Sequence, residues 1–345
     1  MAHSGAPTDA AGDAPADRVR LTIAIPTLNR ARDLRRAIDS AVAQSSRDIE
    51  ILVSDNGSTD DTRAVIESYA DPRLRTFRHG TTIPAPDHGN FLIHAARGEL
   101  FLGLSDDDYL EPLFAERVIA LYDRHPKVAF VYTRCFTHVG QLGSAVLTSP
   151  NAPELEDPLS FLRGYFSGRR QLFWCACVTR TEDLRRMGGV PPGTLIGDLH
   201  LWTQIVFSGP VGCVDELLSH YTYLAGNSSI RIPVCEWSRE MRAVFQRITA
   251  RLADFPAPPH EREGIEREMR RYLARSTANQ IALNASQGAS KAALLRALRL
   301  CGADLRGNLG AAVPRVLVAL LLPSRLASAL ANSFVARRSR RARPS

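Results

Sequence analysis

The feature that most constrains the fold is a regular alternation of short apolar runs and segments with helical periodicity in the N-terminal third of the chain. The apolar runs span residues 21–25, 49–53, 74–77 and 99–104, and the helical segments span 33–44, 62–69 and 88–96. Strands that alternate with helices favour a mainly parallel sheet covered by helices on both faces. The sequence therefore predicts an α/β domain.

Polar clusters follow three of these predicted strands. They span residues 26–30, 55–60 and 106–108. Ligands of such sheets gather at the carboxyl ends of the strands, so we expect the three clusters to meet at one edge. The first cluster contains no glycine, whereas the dinucleotide fingerprint requires several at that turn. A classical NAD-binding fold is therefore disfavoured.

The third cluster consists of three adjacent carboxylates, Asp106, Asp107 and Asp108. Like charges this close repel one another unless a cation or strong hydrogen-bond donors neutralise them. Oxygen ligands suit Mg²⁺ or Mn²⁺, which proteins often bind through one or two carboxylates together with substrate phosphates. The alternative is a solvated acidic turn that caps a helix, and the three residues alone do not decide between the two.

The second half of the chain has a less regular pattern. Strands are expected at 128–132 and 173–179, a polar loop at 140–157 and helices at 181–187 and 199–207, and the chain is helical from Trp237 with breaks at 256–259 and near Gly288. We predict a disordered leader over 1–18, a catalytic domain over 19–230, a helical region over 231–336 and a basic tail over 337–345.

Composition excludes several classes of protein. The net charge is +7, but five arginines lie within residues 337–343, so the body is nearly neutral and nucleic-acid binding is not expected. The six cysteines lack zinc-ligand spacing. The start lacks the basic and apolar regions of a signal peptide, and no run of 18 apolar residues is found. We therefore expect a cytoplasmic protein.

The order and spacing of these motifs resemble the family 2 glycosyltransferases of the GT-A fold. The resemblance lies in residues 23–30, 53–60, 90–98 and 104–112, with a further similar segment at 196–202, and it covers roughly residues 20–225. It implies a GT-A-like, mainly parallel sheet flanked by helices, with a helical C-terminal extension. It also implies a nucleotide-sugar donor carrying UDP, GDP or dTDP, and Mg²⁺ or Mn²⁺ as cofactor.

The resemblance assigns roles to individual residues. Asp55 would accept a hydrogen bond from the base, and Asp107, with its neighbour Asp108, would bind the metal. Ser105 stands where many relatives have an aspartate that contacts the ribose, which leaves this contact uncertain. The residues expected to border the nucleotide are Pro26, Thr27, Asn29, Arg30, Asp55, Asn90, Ser105 and Asp106.

Asp198 resembles the acidic residue that members of the family place beneath the acceptor, where it would act as the general base. An inverting transfer needs one carboxylate to take the proton of the attacking hydroxyl. The alternative for Asp198 is a simple N-cap for the following helix. His220 is a weak candidate for a further metal ligand, and His200 could face either the acceptor or solvent.

These observations predict a metal-assisted, inverting glycosyltransferase that acts on a surface polysaccharide, a glycolipid or another glycoconjugate. The acceptor would be a carbohydrate or a lipid-linked sugar. A nucleotidyltransferase and a non-catalytic scaffold that binds sugar nucleotides are the alternatives. The donor sugar, the base and the oligomeric state do not follow from the sequence.

The C-terminal region combines a short apolar run at 316–322 with the basic tail. Amphipathic segments with basic residues bind anionic membrane surfaces. We therefore hypothesise peripheral association with the inner face of the cell membrane. The alternative is a helix packed on the catalytic domain, followed by a solvated tail.

Overall fold

The structure is a computed structural model that describes residues 18–139, 144–147, 152–223 and 232–310, together with residues 312, 313 and 316. The predicted leader up to residue 17, the apolar run at 317–322 and the basic tail lie outside the described residues. Across the described residues, none of the helices combines the length and hydropathy needed to cross a bilayer.

Among the described residues, ten strands form a single sheet in the order β3-β2-β1-β4-β9-β6-β10-β5, with β7 beside β6 and β8 beside β10. The strands are β1 (Leu21–Thr27), β2 (Ile49–Asp55), β3 (Leu74–Arg78), β4 (Leu100–Gly103), β5 (Tyr109–Leu110), β6 (Phe130–Val139), β7 (Ser144–Leu147), β8 (Leu155–Glu156), β9 (Cys177–Arg180) and β10 (Val211–Tyr223).

The helices that cover this sheet and extend from it follow the same chain order. They are α1 (Ala31–Val42), α2 (Thr62–Glu67), α3 (Ala85–Ala95), α4 (Phe114–Arg124), α5 (Pro158–Ser167), α6 (Thr181–Arg186), α7 (Gly197–Ile205), α8 (Val234–Asp254), α9 (Pro259–Ser286) and α10 (Lys291–Leu305). The predicted breaks near residues 256–259 and Gly288 separate α8, α9 and α10.

The α/β prediction is confirmed, and the sheet is parallel where the sequence alternates most regularly. Strands β1, β2, β3 and β4 pair in parallel, with Thr27 opposite Asp55 at the ends of β1 and β2. In the second half β9 runs antiparallel to β4 and β6, while β6 and β10 are parallel. The whole sheet is therefore mixed.

The less regular half also holds the elements that the sequence pattern did not indicate. The longest strand, β10, was not predicted; its pairing with β6 is interrupted by irregularities between Val214 and Ser219. The polar segment predicted as a loop at 140–157 contains β7 and β8. The strand predicted from Phe173 begins instead with a short 3₁₀ turn, Trp174–Ala176, before β9.

Each face of the sheet is covered by one hydrophobic cluster. One joins β1 and β2 to α1 and contains Ile23 and Ile51. The other continues without interruption into the C-terminal helices, because Phe166 of α5 contacts Phe245 of α8 and Tyr272 of α9. The helices that follow the predicted boundary near residue 230 therefore share their core with the sheet domain.

Candidate active site

The loops that follow β1 and β2 are tied together by Asn29. This residue has a positive φ of 53°, a conformation that asparagine tolerates better than most residues. Its backbone N–H donates to Ser58 Oγ at 2.8 Å, and its side-chain Oδ1 accepts from the Thr59 N–H at 2.8 Å. The first two polar clusters therefore meet at one edge of the sheet, as the sequence predicted.

The third cluster reaches the same edge through Asp106. Thr27 Oγ1, at the end of β1, donates to Asp106 Oδ2 at 2.8 Å. Burial raises the pKa of the Asp106 carboxyl to about 6, although the Thr27 hydroxyl lowers it in part. A carboxyl with this pKa is largely ionised at neutral pH, and a bound cation would favour the ionised form further.

Asp107 lies beside two arginines of the first loop and of α1. Arg30 Nη1 is 3.2 Å from Asp107 Oδ2, and an Arg36 Nη donates to the Asp107 carbonyl at 2.7 Å. Burial raises the pKa of the Asp107 carboxyl, and the nearby charge of Arg30 opposes that effect. Arg30 therefore balances part of the negative charge of this carboxylate.

Asp108 turns into the protein, away from its two neighbours. It is 1% exposed, and its Oδ1 accepts from the Thr222 N–H of β10 at 2.8 Å. Burial and the charge of Asp107 raise the pKa of this carboxyl well above its ordinary value. The hydrogen bond to Thr222 gives Asp108 a role in fixing the acidic loop to β10.

The donor set fits a hard divalent cation if the substrate supplies further ligands. Asp106 and Asp107 present carboxylate oxygens, and burial raises the pKa of both carboxyls. Within the described part of the chain, no three His, Cys, Asp or Glu side chains are grouped to hold a metal by themselves. Mg²⁺ commonly takes one or two carboxylates together with substrate phosphates.

Asp55, at the end of β2, has one carboxylate oxygen that accepts no hydrogen bond. Its Oδ1 accepts from the Ser58 N–H at 2.8 Å, whereas its buried Oδ2 has no hydrogen-bond partner. Arg78 Nε lies 3.4 Å from that Oδ2, at the end of the neighbouring strand β3. This oxygen is ion-paired with Arg78 but accepts no hydrogen bond, so Asp55 is suited to a ligand that donates one.

Arg78 was not among the residues predicted for the site. The parallel register places it opposite Asp55 on the adjacent strand. The sequence signal for Arg78 is its position directly after the third apolar run.

The remaining residues predicted to border the nucleotide lie in different surroundings. Pro26 pairs with Ser54 along β1 and β2. Ser105 is partly exposed, and its carbonyl accepts from the Asp108 N–H at 3.0 Å. The Asn90 amide makes two hydrogen bonds to the Val190 backbone, at 2.9 and 2.7 Å, so α3 is fixed to the turn after α6. A nucleotide contact of Asn90 stays a prediction.

Asp198 lies in the first turn of α7, at a cleft with mostly apolar walls. Ile196 occupies the N-cap position and α7 begins at Gly197, so Asp198 is not the cap residue. Its side chain reaches solvent, but the protein around the cleft desolvates the carboxyl and raises its pKa. The walls include Phe101, Leu172, Phe173, Trp174, Leu201 and Trp202.

The same cleft extends to Gly103, the last residue of β4. The Trp174 indole lies directly on Gly103, and a Cβ there would fall 1.9 Å from Trp174 Nε1. Three positions after Gly103 the chain reaches Asp106. The structure therefore connects the cleft of Asp198 to the strand that carries the acidic loop.

Two histidines considered from the sequence are occupied elsewhere. His200 is buried, its Nδ1 is bonded to Arg247, and its Nε2 is 3.6 Å from Glu240, so it faces α8 rather than an acceptor or solvent. His220 bonds Glu111 at 2.7 Å and His138 at 2.9 Å through its two ring nitrogens. His220 therefore has no free nitrogen for a metal.

Comparison with known proteins shows a similarity to one family over the first half of the chain. The model described as "Glycosyl transferase family 2" matches residues 22–175. A "GalNAc(5)-diNAcBac-PP-undecaprenol beta-1,3-glucosyltransferase" of Campylobacter jejuni is 36% identical over 94 residues, which cover 26% of this chain and 30% of that protein. The chain spans less than half the length of the first curated relatives that it matches.

Solved structures share the fold over most of the chain. TarS 1-349 of S. aureus in complex with UDP-GlcNAc has a TM-score of 0.64 at 16% identity, covering 93% of this chain and 92% of that one. The mannosyltransferase PcManGT from Pyrobaculum calidifontis in complex with GDP-Man and Mn²⁺ has a TM-score of 0.54 at 20% identity, covering 88% and 86%. By its match over residues 22–175 and its GT-A-like fold, this chain is similar to the family 2 glycosyltransferases.

Proposed function

We propose that this chain transfers a sugar from a nucleotide-sugar donor to an acceptor hydroxyl, with inversion at the anomeric carbon. The observation that carries the proposal is the cleft that contains Asp198 and extends to Gly103, at the end of the strand that leads into the acidic loop. This connection supports a site in which the base for the acceptor lies near the acids that bind the donor.

The donor half of the proposal rests on the loops after β1, β2 and β4. Asp55 Oδ2, which is buried and accepts no hydrogen bond, would accept one from the base, and its ion-pair partner Arg78 would border the base. Asp106 and Asp107 would hold Mg²⁺ or Mn²⁺ beside the diphosphate, with Asp108 fixing the loop. When bound, the metal would neutralise the charge that develops on the leaving diphosphate.

The acceptor half rests on Asp198. Desolvation by the surrounding protein raises the pKa of the Asp198 carboxyl, which makes the carboxylate a stronger base than an ordinary aspartate for taking the proton of the attacking hydroxyl. The aromatic walls around it suit the apolar face of a sugar ring, since binding pockets are mostly apolar with few polar groups. One general base is sufficient for an inverting transfer.

Known neighbours support the class of substrate. TarS binds UDP-GlcNAc and PcManGT binds GDP-Man with Mn²⁺, while the Campylobacter jejuni relative is named for a transfer onto an undecaprenol-linked saccharide. We infer that this chain uses a UDP-, GDP- or dTDP-sugar and a carbohydrate or lipid-linked acceptor. A role in surface polysaccharide or glycolipid synthesis, in the cytoplasm at the inner face of the membrane, agrees with such an acceptor.

The product distinguishes this function from its alternatives. Incubation with sugar nucleotides, Mn²⁺ and candidate acceptors should release a nucleoside diphosphate, whereas a nucleotidyltransferase would release pyrophosphate from a nucleoside triphosphate and a sugar phosphate. A scaffold would bind the donor without turnover. Thermal-shift screening of nucleoside diphosphates selects the base beforehand, because a ligand that binds only the folded chain raises its melting temperature. Pyrophosphate as the product would refute glycosyl transfer.

A further inference from the structure

The most exposed large apolar side chains of the described residues are gathered at the C-terminal end. Leu295, Leu300, Leu309 and Val313 are 51%, 60%, 56% and 46% exposed. The other exposed large apolar residues of the described chain reach at most 44%. Exposed apolar side chains that occur together, rather than singly, mark interaction surfaces.

Helix α10, which carries Leu295 and Leu300, is anchored on its opposite side. Leu294, Ala297, Cys301 and Leu305 of α10 are buried in a cluster with residues of α8 and α9. Ser290 caps the start of the helix through a 3.2 Å hydrogen bond from the Ala293 N–H. The exposed leucines therefore lie on the outer side of a helix whose inner side is already packed.

The exposed charge beside these leucines is entirely positive. Lys291, Arg296, Arg299 and Arg306 are exposed. Asp304 is the only acid from residue 287 onward; it is 8% exposed and pairs with Arg242 at 2.9 Å. From residue 287 to the end, the sequence contains eleven Lys and Arg against that single acid. The charge imbalance of the whole chain thus lies in this region.

We propose that this outer side of α10 and the following turn docks on the surface of an anionic lipid bilayer. We call it the Leu-Arg face, and it consists of Lys291, Leu295, Arg296, Arg299, Leu300, Arg306, Leu309 and Val313. The leucines enter the boundary between headgroups and acyl chains, and the arginines pair with lipid phosphates. Nucleic acid would leave the leucines in water, and a second copy would bring like charges together.

The Leu-Arg face rests on the proposed membrane association and not on the chemistry of the active site. Membrane binding and catalysis can therefore fail separately. Flotation of the full chain with vesicles of phosphatidylcholine, with and without phosphatidylglycerol, measures the first without any substrate. The thermal shift given by a nucleoside diphosphate with Mn²⁺ reports the second in the same samples.

The decisive variant replaces Leu295, Leu300 and Leu309 by serine. We expect vesicle binding to fall by about tenfold or more, because little apolar surface remains to enter the bilayer. Arg299→Gln with Arg306→Gln should weaken binding to anionic vesicles only, and added salt should do the same. The matched control, Leu113→Ser with Leu155→Ser, removes exposed leucines elsewhere and should bind as the parent does.

A chain that ends after Pro314 separates the Leu-Arg face from the basic tail. The shortened chain should still bind vesicles. The same shortened chain with the three leucines replaced by serine should not. The proposal is overturned if the triple serine variant floats like the parent, or if the shortened chain no longer floats at all. Equal binding to zwitterionic and anionic vesicles, or tight binding of single-stranded RNA in place of vesicles, would also overturn it.

Discussion

Thr27 Oγ1 donates a 2.8 Å hydrogen bond to Asp106 Oδ2, between residues 79 positions apart in the chain. This bond joins the end of β1 to the acidic loop after β4, so the two loops form one edge. It also stabilises the ionised form of a carboxyl whose burial favours the protonated form. The Thr27 hydroxyl therefore contributes to the protonation state of Asp106, together with burial and the charge of Arg30.

We expect the affinity for Mn²⁺ and a nucleoside diphosphate to rise as the pH rises through about 6, where Asp106 loses its proton. The free energy of unfolding of the metal-free chain should instead fall as the pH rises. Because the folded pKa is raised, the folded chain holds a proton that the unfolded chain releases between about pH 4 and about pH 6. Thermal unfolding and calorimetric titration across this range measure both trends.

Thr27→Val tests the origin of this pH dependence. Valine keeps the shape of threonine but removes the hydroxyl that lowers the pKa of Asp106, so the midpoint of metal binding should move to higher pH. Thr76→Val, on the exposed side of β3, is the control and should leave the midpoint unchanged. An unchanged midpoint in Thr27→Val would show that this bond does not set the protonation of Asp106.

Asp198→Asn should lower the rate of sugar transfer by about 10²-fold to 10⁴-fold, the usual contribution of a general base. Donor binding should be unaffected, because Asp198 lies in the cleft that we propose for the acceptor. Transfer rates and thermal shifts with the donor check the two halves of this prediction. Asp183→Asn, on the surface helix α6, is the control, and transfer at the parental rate by Asp198→Asn would reject the assignment.

Asp55→Asn should weaken nucleoside diphosphate binding by about tenfold or more. The asparagine amide can place an N–H donor where Asp55 Oδ2 would accept a hydrogen bond from the base. Pyrophosphate with Mn²⁺ lacks a base and should bind the variant as it binds the parent. Calorimetric titration of both ligands gives the comparison. The control is Asp61→Asn, an exposed residue in the same loop. Equal losses for both ligands would place Asp55 outside base recognition.

Gly103→Ala should destabilise the chain by about 1–3 kcal/mol, because the new methyl group overlaps the Trp174 indole. Trp174→Ala in the same chain should recover part of that loss, since the methyl group then has room. Urea unfolding of the two single variants and the double variant forms a mutant cycle. If the losses of the two single variants add up to the loss of the double variant, the new methyl group does not clash with Trp174 and the prediction is wrong.

Phe245→Ala should lower the free energy of unfolding by about 3 kcal/mol, the usual loss for a buried phenylalanine. Phe245 packs on Phe166, so the sheet domain and the C-terminal helices should still unfold in one transition. Tryptophan fluorescence and circular dichroism during urea unfolding report the two parts. Two separate transitions in the parent chain would show that residues after 230 form an independent domain.

The sequence alone determined the parallel half of the sheet and the positions of its loops. Apolar runs buried on both faces, such as β1 and β2, and amphipathic helices between them are local patterns, so residues 21–104 could be assigned with few errors. The order of the polar clusters then placed Thr27, Asn29 and Asp106 at one edge, because parallel strands bring their carboxyl ends together.

The tertiary structure decided what the individual side chains do. Nothing local distinguishes Asp106, which faces Thr27, from Asp108, which faces Thr222 across the sheet. Strand β10 was missed because its irregular pairing with β6 is a long-range property that leaves little periodic pattern. Arg78 and Trp174 acquire their positions only when distant strands pair. The contacts of these side chains therefore depend on packing and strand register between residues far apart in the chain, which local sequence patterns do not encode.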